Sequence, residues 1–193
     1  MKLSLITRSA AALLLALTLS ACAPGIPSGA APVSAPPDGA AGILSAFTST
    51  DLDGNPVDQT IFSDHKLTMV NVWATYCKPC LSEMPDLAAL NTAYADRGFQ
   101  VVGLVSDLLN RDGSISETQV AVAQDVVSST GADYLHLMPS TDLIDLLLSQ
   151  VTAVPTTIFV DEGGNMVGQG YLGAYSKDDW SKIIESLMTE VGA

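Results

Sequence analysis

Hydrophobic and polar positions alternate with two different periods along this chain, and the changes of period divide it into elements. Residues Leu67–Trp73 form a run apolar enough for a strand covered on both faces. Phe99–Val105 is a second run of this kind, with shorter ones at Tyr134–Leu137 and Thr156–Val160. Between them the period lengthens to that of a helix. After Cys77 the residues Cys80, Met84, Leu87 and Tyr94 share one face, and Pro85 in the same stretch is expected to kink it. Ser116–Thr130 carries Val120, Ala123 and Val127 on one side and stops at Gly131. Ser140 or Thr141 caps a helix predicted to run through Leu148. A last helix starts at Ser176, whose Ser-x-x-Asp spacing to Asp179 is that of a capping box. Its buried stripe is Trp180, Ile183, Ile184, Leu187 and Met188.

The remaining segments connect or precede these. Ile43–Thr48 reads as a strand, Asp51–Pro56 as a turn, and Val57 as the start of a partner strand, which makes an N-terminal hairpin. Glu162–Asn165 turns Thr156–Val160 into a strand near Met166–Gln169. Asp107–Ser114 is polar and contains glycine, the composition of a loop. Strands alternating with helices predict an α/β fold.

The first 42 residues follow neither period. Lys2 and Arg8 precede a short apolar segment, Ala10–Leu19, and small residues follow at Ser20–Ala23, which are the three zones of an export signal. About ten apolar residues cannot cross a hydrocarbon core of roughly 30 Å, so a permanent membrane span is the weaker reading. Ala23–Gly42 is almost wholly Ala, Pro, Gly and Ser and holds five of the chain's ten prolines. Such a segment buries too little apolar surface to offset its ordering entropy, so it reads as a disordered tether. As a flexible coil it would reach about 25 Å.

Charge and cysteine usage narrow the function. All 21 acidic residues lie beyond residue 37, and without Lys2 and Arg8 the formal net charge goes from −13 to −15. A domain so acidic repels phosphate backbones, which argues against nucleic acid as a partner. Three cysteines are too few for a disulfide scaffold, and two of them stand three apart, Cys77 and Cys80, where a strand gives way to a helix. At that spacing the sulfurs can meet across one helical turn. Cys77 would occupy the helix N-terminus, where unpaired N–H groups, the helix dipole and the neighbouring Lys78 favour a thiolate. Pro79 suits the first turn, where its missing N–H would be unpaired in any case. Cys80, one turn in, is placed to resolve a mixed disulfide rather than to attack first. A purely structural bridge there closes almost no loop. A zinc site would need a second ligand pair that is absent from the sequence, whereas two-coordinate copper(I) stays open as an alternative.

Trp73-Ala74-Thr75-Tyr76-Cys77-Lys78-Pro79-Cys80, followed by Glu83-Met84-Pro85, resembles the active-site segment of thioredoxin-like proteins. More narrowly it resembles the membrane-tethered, extracytoplasmic thiol–disulfide oxidoreductases of bacteria (the TlpA/ResA type, redoxin-family lipoproteins), over roughly residues 43–190. The resemblance implies a thioredoxin fold: a central mixed β-sheet flanked by helices, with an N-terminal β-hairpin and a central inserted helix and strand. It divides the chain into a lipoprotein signal peptide (1–21), a tether (22–42) and a thioredoxin-like domain (43–193). Leu19-Ser20-Ala21-Cys22 looks like a lipobox, which makes Cys22 the lipidated residue, with plain cleavage after Ala23 as the alternative.

The resemblance also assigns roles. Cys77 and Cys80 are the redox pair, and no cofactor beyond their disulfide is implied. Pro155 matches the cis-proline that stands opposite the pair, and Val154 before it would dock substrate backbone. Trp73 and Tyr76 are expected to pack beside the site, within the substrate-binding surface. An acid at the position of Glu83 is linked in that group to active-site proton handling, and a solvated helix-surface glutamate is the plainer reading. Cytosolic thioredoxins carry a buried aspartate six residues before the first cysteine. Here the residue is Asn71, which cannot carry a proton, so that role passes to Glu83 or to water. His65 and His136 read as structural or surface residues.

The expected activity is reduction of extracytoplasmic protein disulfides, with apocytochrome c or an oxidised repair enzyme as substrate and a membrane dithiol as electron donor. The protein is expected to be a monomer anchored to the cell membrane through its lipid. A copper-delivery module is the alternative from another class. Thiol peroxidase is disfavoured, because Ala74 stands where the Pro-x-x-x-Thr-x-x-Cys pattern needs threonine.

Overall fold

The computed structural model describes residues 42–193. The signal, Cys22 and the tether up to residue 41 lie outside the described residues. Seven strands and four helices follow in order: β1 (Thr48–Thr50), β2 (Pro56–Asp58), β3 (Leu67–Trp73), α1 (Lys78–Tyr94), β4 (Phe99–Val105), α2 (Glu117–Thr130), β5 (Leu135–Leu137), α3 (Thr141–Leu146), β6 (Thr156–Val160), β7 (Met166–Leu172) and α4 (Lys177–Glu190). β1 and β2 form a separate antiparallel hairpin. The other five make one sheet in the order β5-β4-β3-β6-β7, with β3 at its centre. β3 runs parallel to β4 and antiparallel to β6, so the sheet is mixed.

Alternation along each strand divides the interior into two cores. Leu67, Met69 and Trp73 of β3 face one side with Phe99, Val101 and Val105 of β4 and Phe159 of β6, and there α1, α2 and α4 cover them. Val70 and Val72 face the other side with Val102, Leu104, Ile158 and Val160, against α3 and the N-terminal segment. Each such side chain taken out of water stabilises the fold by about 1.5–3 kcal/mol.

Most boundaries follow the sequence signals. Ser116, Ser140 and Ser176 cap α2, α3 and α4 by accepting from backbone N–H groups. Gly131 ends α2 at a φ of 66°. Pro85 lies inside α1 without ending it.

Three expectations need correction. Ile43–Thr48 is not a strand: the chain bends through residues 43–46, and pairing starts only at Thr48. Leu44 and Phe47 both enter the apolar core, a spacing of three that a strand cannot bury on one face. The Leu44 N–H goes to the Gly164 carbonyl instead, 3.0 Å away. The α-helix capped by Ser140 stops at Leu146, with a single tighter turn beyond it at Leu148–Gln150. β7 runs to Leu172 rather than Gln169, because an irregularity opposite Thr157–Phe159 lets the pairing resume beyond Gly168, where φ is +66°.

Candidate functional site

β3 delivers the site. After Trp73 the chain leaves the sheet, turns through Ala74–Tyr76, and enters α1 with Cys77 at its N-cap. The Cys77 N–H closes the turn on the Ala74 carbonyl at 3.0 Å. The Cys77 sulfur accepts from the Cys80 N–H at 3.3 Å, as an N-cap side chain does, and Pro79 occupies the first turn. Cys77 and Cys80 are joined by a disulfide. Cys77 retains 6 % of its surface and Cys80 none, so an incoming thiol reaches Cys77 first. Tyr76 beside it is three-quarters exposed.

Across the sheet β6 approaches from the opposite direction. Val72 is registered with Thr156, which sets Pro155 abreast of Trp73 and Val154 abreast of Ala74 as the strands leave the sheet. The Val154–Pro155 bond is cis. Among the described residues, the N–H and carbonyl of Val154 have no hydrogen-bond partner. Trp73 has no exposed surface and supports the site from beneath.

Below α1 a row of three polar side chains and one glycine crosses the sheet at one register level: His136 on β5, Gly103 on β4, Asn71 on β3 and Thr157 on β6. Glu83 points down into that row. It is only 3 % exposed, so the picture of a solvated surface glutamate is corrected: one turn past Cys80, the α1 face carrying Glu83 looks inward. Asn71 Nδ2 donates to Glu83 Oε1 at 3.1 Å and to Thr157 Oγ1 at 3.0 Å. Glu83 Oε2 accepts from the Trp180 indole at 3.2 Å and from the Tyr175 N–H at 3.3 Å. Burial raises the Glu83 pKa above that of an ordinary carboxyl, and these three donors only partly counter it. Asn71 Oδ1 is buried without a partner.

His136 holds the other end of the row. Its Nδ1 accepts from the Trp73 indole at 3.2 Å, and Nε2 faces the Ala132 carbonyl at 2.9 Å. Burial pushes its pKa down to about 4, so the ring is neutral at physiological pH. Gly103 is needed here because a Cβ at that position would lie 2.1 Å from His136 Nδ1. Tyr134 stacks on the same ring with centroids 4.5 Å apart, and its hydroxyl is buried without a partner.

Sequence reasoning placed Glu83 near the pair but missed what surrounds it. Trp180 and Tyr175 lie 97 and 92 residues away along the chain, so no local signal joins them to Glu83. Among the described residues, no group of three or more His, Cys, Asp or Glu could hold a metal ion, and no helix is long and apolar enough to cross a membrane.

Comparison with known proteins gives this geometry its context. The chain is 28% identical over 141 residues to a protein of Bacillus anthracis named thiol-disulfide oxidoreductase ResA, covering 73% of this chain and 74% of that one. A protein of the same name from Geobacillus kaustophilus is 27% identical over 143 residues, with the same coverage of 73% and 74%. Among solved structures, a DsbF homologue from Corynebacterium diphtheriae superposes with a TM-score of 0.62 at 26% identity, covering 84% of this chain and 97% of that one. A thioredoxin-family thiol:disulfide interchange protein from Chlorobium tepidum gives a TM-score of 0.61 at 27% identity, covering 83% and 99%. These neighbours bear out the thioredoxin-like fold. The Redoxin family model matches residues 34–182, and with a match over most of its length the chain belongs to the Redoxin family.

Proposed function

We propose that the protein is a thiol–disulfide oxidoreductase of the ResA-like kind, which reduces protein disulfides outside the cytoplasm. The observation that carries this reading is the placement of the Cys77–Cys80 pair: one sulfur caps a helix and is partly open, while the other is sealed one turn inside. In the reduced protein the Cys77 thiolate attacks a substrate disulfide, forming a mixed disulfide and releasing one substrate thiolate. Cys80, giving up its proton, then attacks the Cys77 sulfur. The intramolecular disulfide forms again and the second substrate thiolate leaves, so two electrons pass from protein to substrate. Glu83, buried one turn from Cys80 with a raised pKa, is the group suited to take that proton.

The unpaired backbone of Val154 beside Pro155 suits pairing with an extended substrate segment, and exposed Tyr76 gives that segment an apolar edge. Residues 1–21 would direct export, Cys22 would carry the lipid, and 22–42 would hold the domain off the membrane. A membrane dithiol would return the enzyme to its reduced form, and apocytochrome c cysteines or an oxidised repair enzyme would be its substrates. The test is reduction of insulin by the full chain with a dithiol donor, beside copper(I) titration of the reduced protein. Turnover without tight copper binding supports the oxidoreductase. Tight copper binding without turnover overturns it in favour of a copper module.

A further inference from the structure

The turn that presents Cys77 is held from the side by a cluster the exchange chemistry does not use. Directly after β4, Asp107 reaches across to Thr75. Both of its carboxylate oxygens lie 3.1 Å from the Thr75 N–H, and Oδ2 accepts from the Thr75 hydroxyl at 2.6 Å. Gln119, in the first turn of α2, closes the triangle: its Nε2 lies 2.7 Å from Thr75 Oγ1 and 3.1 Å from Asp107 Oδ2. One residue before Asp107, Ser106 gives both its N–H and its hydroxyl to the Trp73 carbonyl, each at 2.9 Å. The end of β4 and the start of α2 therefore fix the chain at Trp73 and Thr75, immediately before the dithiol. Asp107 has no salt-bridge partner among the described residues, so its acceptors are committed to this turn.

We propose that Asp107, with Thr75 and Gln119, is a positioning clamp that keeps the Ala74–Tyr76 turn ordered in the dithiol state and thereby sets the reduction potential of the Cys77–Cys80 pair. The inference rests on the exchange activity proposed above. In the disulfide form the bond itself restrains Cys77. In the dithiol form only the turn does, and its backbone freedom is what the clamp removes. Loosening the clamp therefore releases more disorder in the dithiol than in the disulfide, which favours the dithiol and raises the potential. The sequence alone hides the arrangement, because Asp107 and Gln119 lie 32 and 44 residues beyond Thr75.

The equilibrium that tests it is protein disulfide plus two glutathione going to protein dithiol plus glutathione disulfide. Two electrons and two protons end on Cys77 and Cys80. It is measured on the full chain for wild type, Asp107→Ala, Asp107→Asn, Thr75→Val and Thr75→Ser, with the Cys77 thiolate titrated alongside. Asp107→Ala is expected to shift the equilibrium about tenfold towards the dithiol, about 30 mV for a two-electron couple. Thr75→Val keeps every charge and should shift the same way by a smaller factor, and Thr75→Ser, which keeps the hydroxyl, should restore the wild-type value. If Thr75→Val matches wild type while both Asp107 variants move the thiolate titration equally, Asp107 acts only through its charge and the clamp is overturned. If no variant moves the equilibrium, the clamp is equally overturned. Should Asp107→Ala fail to fold, the Thr75 pair alone decides. Failure of the wild-type disulfide to exchange with glutathione at all would instead overturn the proposed activity.

Discussion

The two faces of the central sheet are built from the same strands and obey different rules. Towards α3 and the N-terminal segment, the middle of β3, β4 and β6 presents Val70, Val72, Val102, Leu104, Ile158 and Val160, all aliphatic and all buried. The polar residues Thr68, Gln100 and Thr156 stand only at the ends of this face, with their side chains hydrogen-bonded. Towards α1 and α4 the same strands place Asn71, Gly103 and Thr157 in the middle of an otherwise apolar layer, with Glu83 pressed onto them from above. Polar groups out of water cost free energy unless they find partners, and two on this face find none: Asn71 Oδ1 and the Tyr134 hydroxyl. The dry face stabilises the domain, while the face beneath α1 gives up some of that stability to hold a buried carboxyl and its hydrogen-bonding partners.

Four measurements bear on that contrast. The largest effect is chemical and confined to the polar face. Cys77→Ser should reduce disulfide exchange to background, whereas Cys80→Ser should accumulate mixed disulfides with substrate proteins that denaturing gels resolve. Faster alkylation of Cys80 than of Cys77 in the reduced protein would reverse the assignment. Next comes a cavity on the dry face. Ile158→Ala should cost about 2–5 kcal/mol in denaturant unfolding yet leave the glutathione equilibrium unchanged. A shifted equilibrium would show that the two faces are coupled.

The third measurement uses acid. The folded His136 pKa of about 4 lies below the ordinary 6.5, so the unfolded chain binds the proton more readily. The stability this neutral histidine contributes is complete above pH 6.5 and is lost as the pH falls towards about 4. That amounts to about 3 kcal/mol. Across this window wild type should lose stability relative to His136→Phe, whose ring cannot titrate, the difference cancelling the opposite contribution of Glu83.

The smallest effect on stability belongs to Glu83. Its folded pKa is raised, so its neutral form is favoured in the fold, and stability is lost as the pH rises from the ordinary 4.5 through the folded value. Glu83→Gln should remove that loss. It should also lower the pKa of the dithiol and slow resolution of a mixed disulfide, as read by thiolate absorbance and stopped-flow mixing. Turning Asn71 over would offer its unpaired Oδ1 to the new amide, but would move Nδ2 away from Thr157 into the position that has no partner. A variant equal to wild type in both readings would assign the proton transfer to water.

What could be read from the sequence divides along the same lines. α2 and α4 were legible because stripe, cap and stop all lie within a few residues of one another, as with Ser176, Asp179 and Trp180. The dithiol was legible for the same reason. Ile43–Thr48 misled because its apolar residues satisfy tertiary contacts, Leu44 with the turn at Gly164, rather than a local period. The burial of Glu83 was hidden too. A glutamate on a helix reads as exposed until Asn71 of β3 and Tyr175 and Trp180 at the start of α4 converge on it.

The pairing of Asn71 with Thr157 bears on how the chain folds. The two residues are 86 positions apart, and β6 is what completes the central strand. A chain released from its N-terminus has β3, both cysteines and α1 available long before β6 exists. Until then one edge of β3 is open and contacts of high sequence separation are still unmade, the condition that slows folding and exposes chains to association. A truncation ending before Thr156 would therefore leave a reactive thiol pair on an unfinished sheet. Once β6 is made, its pairing with β3 closes that edge, and β7 pairs outside it.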